Sequence, residues 1–134
     1  MVLKRAGDWI RTAAVCVAVV VLGLAGSSSA AAAERSAELE RFERKIRPLL
    51  VSRCGKCHSG QKPKAGLDLV RVRGLMAGGR SGPVVVPGNP TGSLIVQAIR
   101  RRGKKRMPPD APLEGSQVLE LVTWIKNGAV VPGV

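Results

Sequence analysis

Apolar residues recur at helical spacing in three separate parts of this 134-residue chain. The first is residues 36–47, where Leu39, Phe42 and Ile46 fall on one face and Glu and Arg on the other. Ser36 is a candidate N-cap, and Pro48, which has no backbone donor, predicts a kink or restart. Leu49 and Leu50 carry the apolar face on towards Cys54. The second helix is predicted in "GNPTGSLIVQAIRR", with Asn89 as N-cap, Pro90 at the first helical position and Leu94, Ile95, Ala98 and Ile99 as its apolar face. The third is "SQVLELVTWIKNG", with Val118, Leu121, Val122 and Ile125 in a stripe and Trp124 beside it. Ser116 is its expected cap and Gly128 its stop.

Between these helices the pattern breaks down. Residues 54–87 are rich in Gly and Pro; "GLDLVRV" reads as briefly extended and "AGGRSGP" as a loop. Loops of this length are uncommon in a compact domain unless they serve a function. There is no internal repeat and no second domain in the pattern.

The N-terminus has a different organisation. Lys4, Arg5 and Arg11 precede an uncharged apolar run, 13–25, and then the small residues 27–33. That is the three-part pattern of a secretory signal, giving 1–33 as signal peptide and 34–134 as one domain. The run is short for a membrane span, and an uncleaved anchor is the alternative. Cys16 lies inside the run, which argues against a lipoprotein site. Export implies a periplasmic or other extracytoplasmic location, with membrane association only if the signal stays.

Composition then changes the picture in two ways. The formal charge is +13; residues 1–33 hold three basic residues and one acid, so 34–134 carries +11. The same segment has Phe42 and Trp124 as its only aromatic residues. A chain this small with so little aromatic mass needs a staple or a cofactor to complete its core.

"CGKCH", Cys54 to His58, supplies a candidate. C-x-x-C-H is the attachment pattern of c-type haem. One helical turn places both thiols on one side, where each forms a thioether with a haem vinyl group. His58 then follows as the proximal iron ligand. Its other ring nitrogen calls for a backbone carbonyl, for which Pro63 is one nearby source. Zinc lacks a fourth soft ligand here, and a thioredoxin-like pair lacks its strand–helix context. A Cys54–Cys57 disulfide in a non-haem, basic binding module is the plainer alternative.

With no other His, Met is the natural second axial ligand; the plainer alternative is a surface or gap-filling Met with the iron five-coordinate or bound to water. Met76 continues an apolar stretch and reads as core. Met107, in "RMPPD", precedes proline and is therefore biased to extended backbone, which suits a strap. It is the expected distal ligand.

This order of signals, "CGKCH", "GGRSGPVVVPGNPTGSLIVQAI", "MPP" and a last helix ending "WIKNGA", resembles the planctomycete-type cytochrome c domain, a class I-like c-type cytochrome. The resemblance implies a small all-α fold with long loops around one covalent haem. It implies Cys54, Cys57, His58 and Met107 as attachment sites and ligands, and electron transfer as the activity, with no substrate reaction of its own. The pattern usually has Ser or Thr where this chain has Glu114.

Six of the seven residues 100–106 are basic. Export and the lack of stacking aromatics argue against nucleic acid. A rim that steers an acidic redox partner fits better. Pairing with haem propionates is the other use, with Arg80 as a further candidate, and a solvated charge run is the plain one. A haem sensor with a displaceable Met107 is the main functional alternative.

Overall fold

The computed structural model describes residues 29–101 and 106–133. The expected signal peptide lies mostly outside them. The chain divides after Ser36 into two units. In the first, residues 29–36 are helical and exposed; Ser36 is therefore within helical backbone and caps nothing. No helix among the described residues is long and apolar enough to cross a membrane.

The second unit is all-α. It contains a π-helical turn, Phe42–Ile46, then helix α1, Arg47–Cys54, a 3-10 turn, Lys64–Gly66, and helices α2, Val72–Ala77, α3, Leu94–Arg100, and α4, Gly115–Lys126. Among the described residues the sole β feature is an isolated bridge between Gly79 and Gly82.

Pro48 explains the π-helical turn. The Arg47 N–H bonds back five residues to the Phe42 carbonyl, and Pro48 then occupies the first turn of α1, where a backbone donor is not required. The α-helix therefore resumes at Arg47, and the missing Pro48 donor falls where the π-helical turn gives way to it. Phe42 and Ile46 are turned inward by this segment and are almost fully buried.

The core joins this segment to α3 and α4 through Phe42, Ile46, Leu50, Ile95, Val96, Ile99, Leu121, Trp124 and Ile125. The two aromatic rings meet, as their positions on the first and last helices suggest, with centroids 5.6 Å apart and a tilt of 35°. Arg47 stacks its guanidinium over the Phe42 ring, 4.9 Å from the ring centroid. The Trp124 indole N–H donates to the Val130 carbonyl at 2.9 Å, so its polar atom is satisfied although the residue is buried.

Two expected caps sit elsewhere. Helix α3 begins at Leu94, not Pro90. Asn89 Oδ1 accepts from the Gly92 N–H and the Thr91 hydroxyl, and so closes a turn ahead of the helix. Ser93 is the residue before the helix; its buried hydroxyl accepts from the Val86 N–H and donates to the Asn89 carbonyl. Helix α4 is capped by Glu114, not Ser116, through a reciprocal box in which Gln117 Oε1 accepts from the Glu114 N–H. Glu114 therefore does the work of the Ser or Thr usual in the pattern. Lastly, "GLDLVRV" is not extended throughout. Asp68 Oδ1 accepts from the N–H groups of Val70 and Arg71, and helix α2 starts at Val72. Gly128 ends α4 as expected, at φ +96°.

Candidate functional site

Cys54 is the last residue of α1, and the helical turn continues past it. The N–H groups of Cys57 and His58 both bond to the Cys54 carbonyl, at 3.2 and 2.9 Å. Gly55 is needed in this turn, because a Cβ there would stand 3.2 Å from the Val70 side chain and closer still to the Val51 carbonyl. The result is that Cys54, Cys57 and His58 all line one cavity of about 390 Å³. Cavities of ~300–1,000 Å³ are usual for cofactors.

His58 is fixed at three points. Its carbonyl accepts from the Leu69 N–H at 2.9 Å, its N–H is bound as above, and its ring Nδ1 lies 3.2 Å from the Lys64 carbonyl. A carbonyl can only accept, so Nδ1 carries the proton and Nε2 presents its lone pair. The carbonyl partner is Lys64 and not Pro63, whose own carbonyl accepts from the Gly66 N–H in the 3-10 turn.

The remaining walls are mostly apolar: Leu67 and Leu69 from the loop, Leu94, Ile95, Ala98 and Ile99 from α3, and Met107, Pro108 and Pro109. Met107 is 41% exposed, and its N–H donates to the Ala98 carbonyl at 3.1 Å. Met76 packs against the core cluster and is not among the lining residues. The structure thus separates the two methionines as their sequence contexts do.

Cations surround the cavity. Arg53, Lys56, Lys64, Arg80 and Arg101 line it, against the single acid Asp110. None of these five forms an ion pair among the described residues, whereas Arg41, Arg44, Arg47 and Arg71 are paired with acids elsewhere on the surface. Arg80 sits in the Gly79–Gly82 turn, and its N–H donates to the Ala65 carbonyl. Gly78 makes that turn possible: its φ is +79°, and a Cβ would collide with the Gly82 carbonyl. Of the basic run, residues 102–105 lie outside the described residues, and Arg101 is the member that lines the cavity. Sequence reasoning passed over Arg53, Lys56 and Lys64. Their closeness to the C-x-x-C-H motif was the available signal.

Residues 54–111 match the family model of planctomycete cytochrome C. This segment is similar to a planctomycete cytochrome c domain. No curated protein and no solved structure matches the chain. The fold is correspondingly the all-α, cytochrome c-like one, and a cytochrome c domain binds haem.

The residues present fit that group. The cavity offers an apolar lining, two thiols and an imidazole with a free Nε2. Cys54 and Cys57 are free thiols, not a disulfide. Burial pushes the Cys54 thiol up to about 11, outweighing the nearby Arg53 charge, so it is protonated at neutral pH. The Arg53 Nε is buried without a protein partner in a residue that lines the cavity. An acidic group, such as a haem propionate, would satisfy it.

Proposed function

We propose that this cytochrome c domain is an exported, monohaem electron carrier. One haem is held covalently by Cys54 and Cys57, with His58 and Met107 as axial ligands. The observation that carries the reading is the convergence of these four side chains on one apolar cavity that excludes Met76.

Bound haem supplies an iron that accepts and returns a single electron. The chain's own residues set how it does so. Two thioethers prevent the group from exchanging. The Lys64 carbonyl orients His58, so that Nε2 and not Nδ1 is the ligating atom. A Met thioether at the sixth position favours the reduced state and raises the potential. The apolar walls do the same, because added positive charge is costly in a low dielectric. We assign the domain no substrate reaction of its own.

Arg53, Lys56, Lys64, Arg80 and Arg101 suit an acidic redox partner, whose approach they would steer to the cavity mouth. Arg80 is also placed to pair with a propionate. The secretory pattern in residues 1–33 supports export, the compartment where thioether attachment of this kind is expected.

The test is to produce the protein in a host with cytochrome c maturation, denature it and weigh it. The expected mass includes one haem, and a bare chain overturns the proposal. The oxidised spectrum should show a sulfur-to-iron charge-transfer band. The exposure of Met107 favours one second reading, a haem sensor in which this ligand is displaced. Rapid carbon monoxide binding by the reduced wild-type protein would select it.

A further inference from the structure

The segment that carries Met107 has few internal supports. Pro108, Pro109 and Pro112 have no N–H to donate. Among the described residues, no backbone–backbone hydrogen bond involves residues 108–113. Apolar contacts contribute: Pro108 is buried, and Leu113 packs against the core. At its start the segment is tied by the Met107 N–H to the Ala98 carbonyl. At its far end it is held by a side chain from a distant part of the chain. Arg53 Nη2 donates to the carbonyls of Ala111 and Pro112, at 3.2 and 3.1 Å. Arg53 precedes Cys54 in the last turn of α1. It makes no ion pair among the described residues, so these carbonyls are the acceptors that hold its head group. A planar guanidinium presents two protons on one nitrogen and can serve both carbonyls together.

We propose that Arg53 is a positioning residue for Met107, a clasp that fastens the Met107 strap to the helix bearing the haem-attachment motif. The proposal rests on the reading of Met107 as an iron ligand. Opening the clasp frees the strap at one end while leaving Cys54, Cys57 and His58 in place. The sixth position then becomes open to small ligands.

The experiment uses the haem-loaded protein and carbon monoxide as the probe. Arg53→Leu removes both hydrogen bonds. Arg53→Gln is neutral and too short to span both carbonyls, and it carries the same test should Arg53→Leu not mature. Arg53→Lys restores a charged donor. Leu121→Ala serves as the comparison, since it weakens the buried core at a residue that does not line the cavity and makes no hydrogen bond to the strap's backbone through its side chain. The expected result is carbon monoxide association about tenfold faster in Arg53→Leu or Arg53→Gln, equivalent to ~1.4 kcal/mol, the low end for bonds from a charged donor. Arg53→Lys should recover most of the difference, and Leu121→Ala should bind at the wild-type rate. An unchanged rate in both loss variants overturns the clasp. So does an equal rise in Leu121→Ala, which would make Arg53 a general stabiliser. Absence of the charge-transfer band from the wild type itself would instead overturn the ligand reading, whatever the variants do.

Discussion

The His58 side of the cavity is held by bonds within a dozen positions along the chain, whereas the strap that carries Met107 is fastened at its far end by a side chain nearly sixty positions away. His58 is tied to Cys54, Lys64 and Leu69, and the Lys64 N–H returns a bond to the Cys57 carbonyl. Met107 is tied to Ala98, and its strap to Arg53, 58 and 59 positions away. Short-range bonds survive local loosening, because few chain elements must stay in register. Long-range ties fail as soon as α1 and the strap separate. The attachment side is therefore the durable half of the site and the strap the adjustable half.

The largest effect tests the durable half. Cys54→Ser combined with Cys57→Ser should abolish covalent haem, read as the mass of the denatured protein. Persistence of the haem mass would show that the attachment lies elsewhere. Next is Met107→Ala, which should remove the sulfur-to-iron band while the haem mass is retained. Met76→Ala should keep the band and lower the urea midpoint, costing roughly 1–3 kcal/mol for a partly buried Met packed on the core. If the two methionines exchange these results, the strap is not the ligand-bearing half.

A smaller effect separates global from local loosening. Trp124→Phe deletes the indole donor to Val130 and should cost about 1–3 kcal/mol, seen as a lower melting temperature. Trp124 sits in the core shared by the π-helical turn and α4, away from the cavity lining. Carbon monoxide binding should therefore be unchanged. A faster rate would mean that the strap senses core stability at large, and the contrast between the halves would lose its meaning.

The same contrast governs what could be read from the sequence. "CGKCH" is a local pattern whose spacing already implies a shared face, and the structure places all three reactive side chains on one cavity. Periodicity found α3 and α4, and the proline after Met107, set against the apolar stretch around Met76, favoured Met107. The caps were harder, because competing polar residues stand within a few positions of each start. Asn89 and Ser93 are both good caps by type, and tertiary burial of Ser93 decided which turn each one closes. Helix α2 is only six residues, too short for a periodic signal, and depends on Asp68 for its approach. Arg53 could not be paired from sequence at all, since nothing local connects it with Ala111 and Pro112.

The smallest predicted effect concerns a support behind the durable half. Asp68 precedes Leu69, whose N–H holds the His58 carbonyl. Burial pushes the Asp68 carboxyl up, but the N–H groups of Arg71 and Val70 and the Arg71 guanidinium outweigh it and hold the carboxyl below its ordinary 3.8. A carboxyl lowered in the folded state binds its proton more readily when the chain unfolds. Its contribution is therefore present above about pH 4 and is lost as the pH falls through the lowered folded value. Arg71 is largely exposed, so the ion pair contributes at most ~1 kcal/mol. Asp68→Asn keeps an acceptor oxygen and removes the titration. Unfolding midpoints in urea, followed by circular dichroism from pH 5 to pH 2, should fall more steeply for the wild type than for Asp68→Asn. Parallel curves would mean that no proton-linked support stands behind His58, and that the short-range bonds of that side hold it without Asp68.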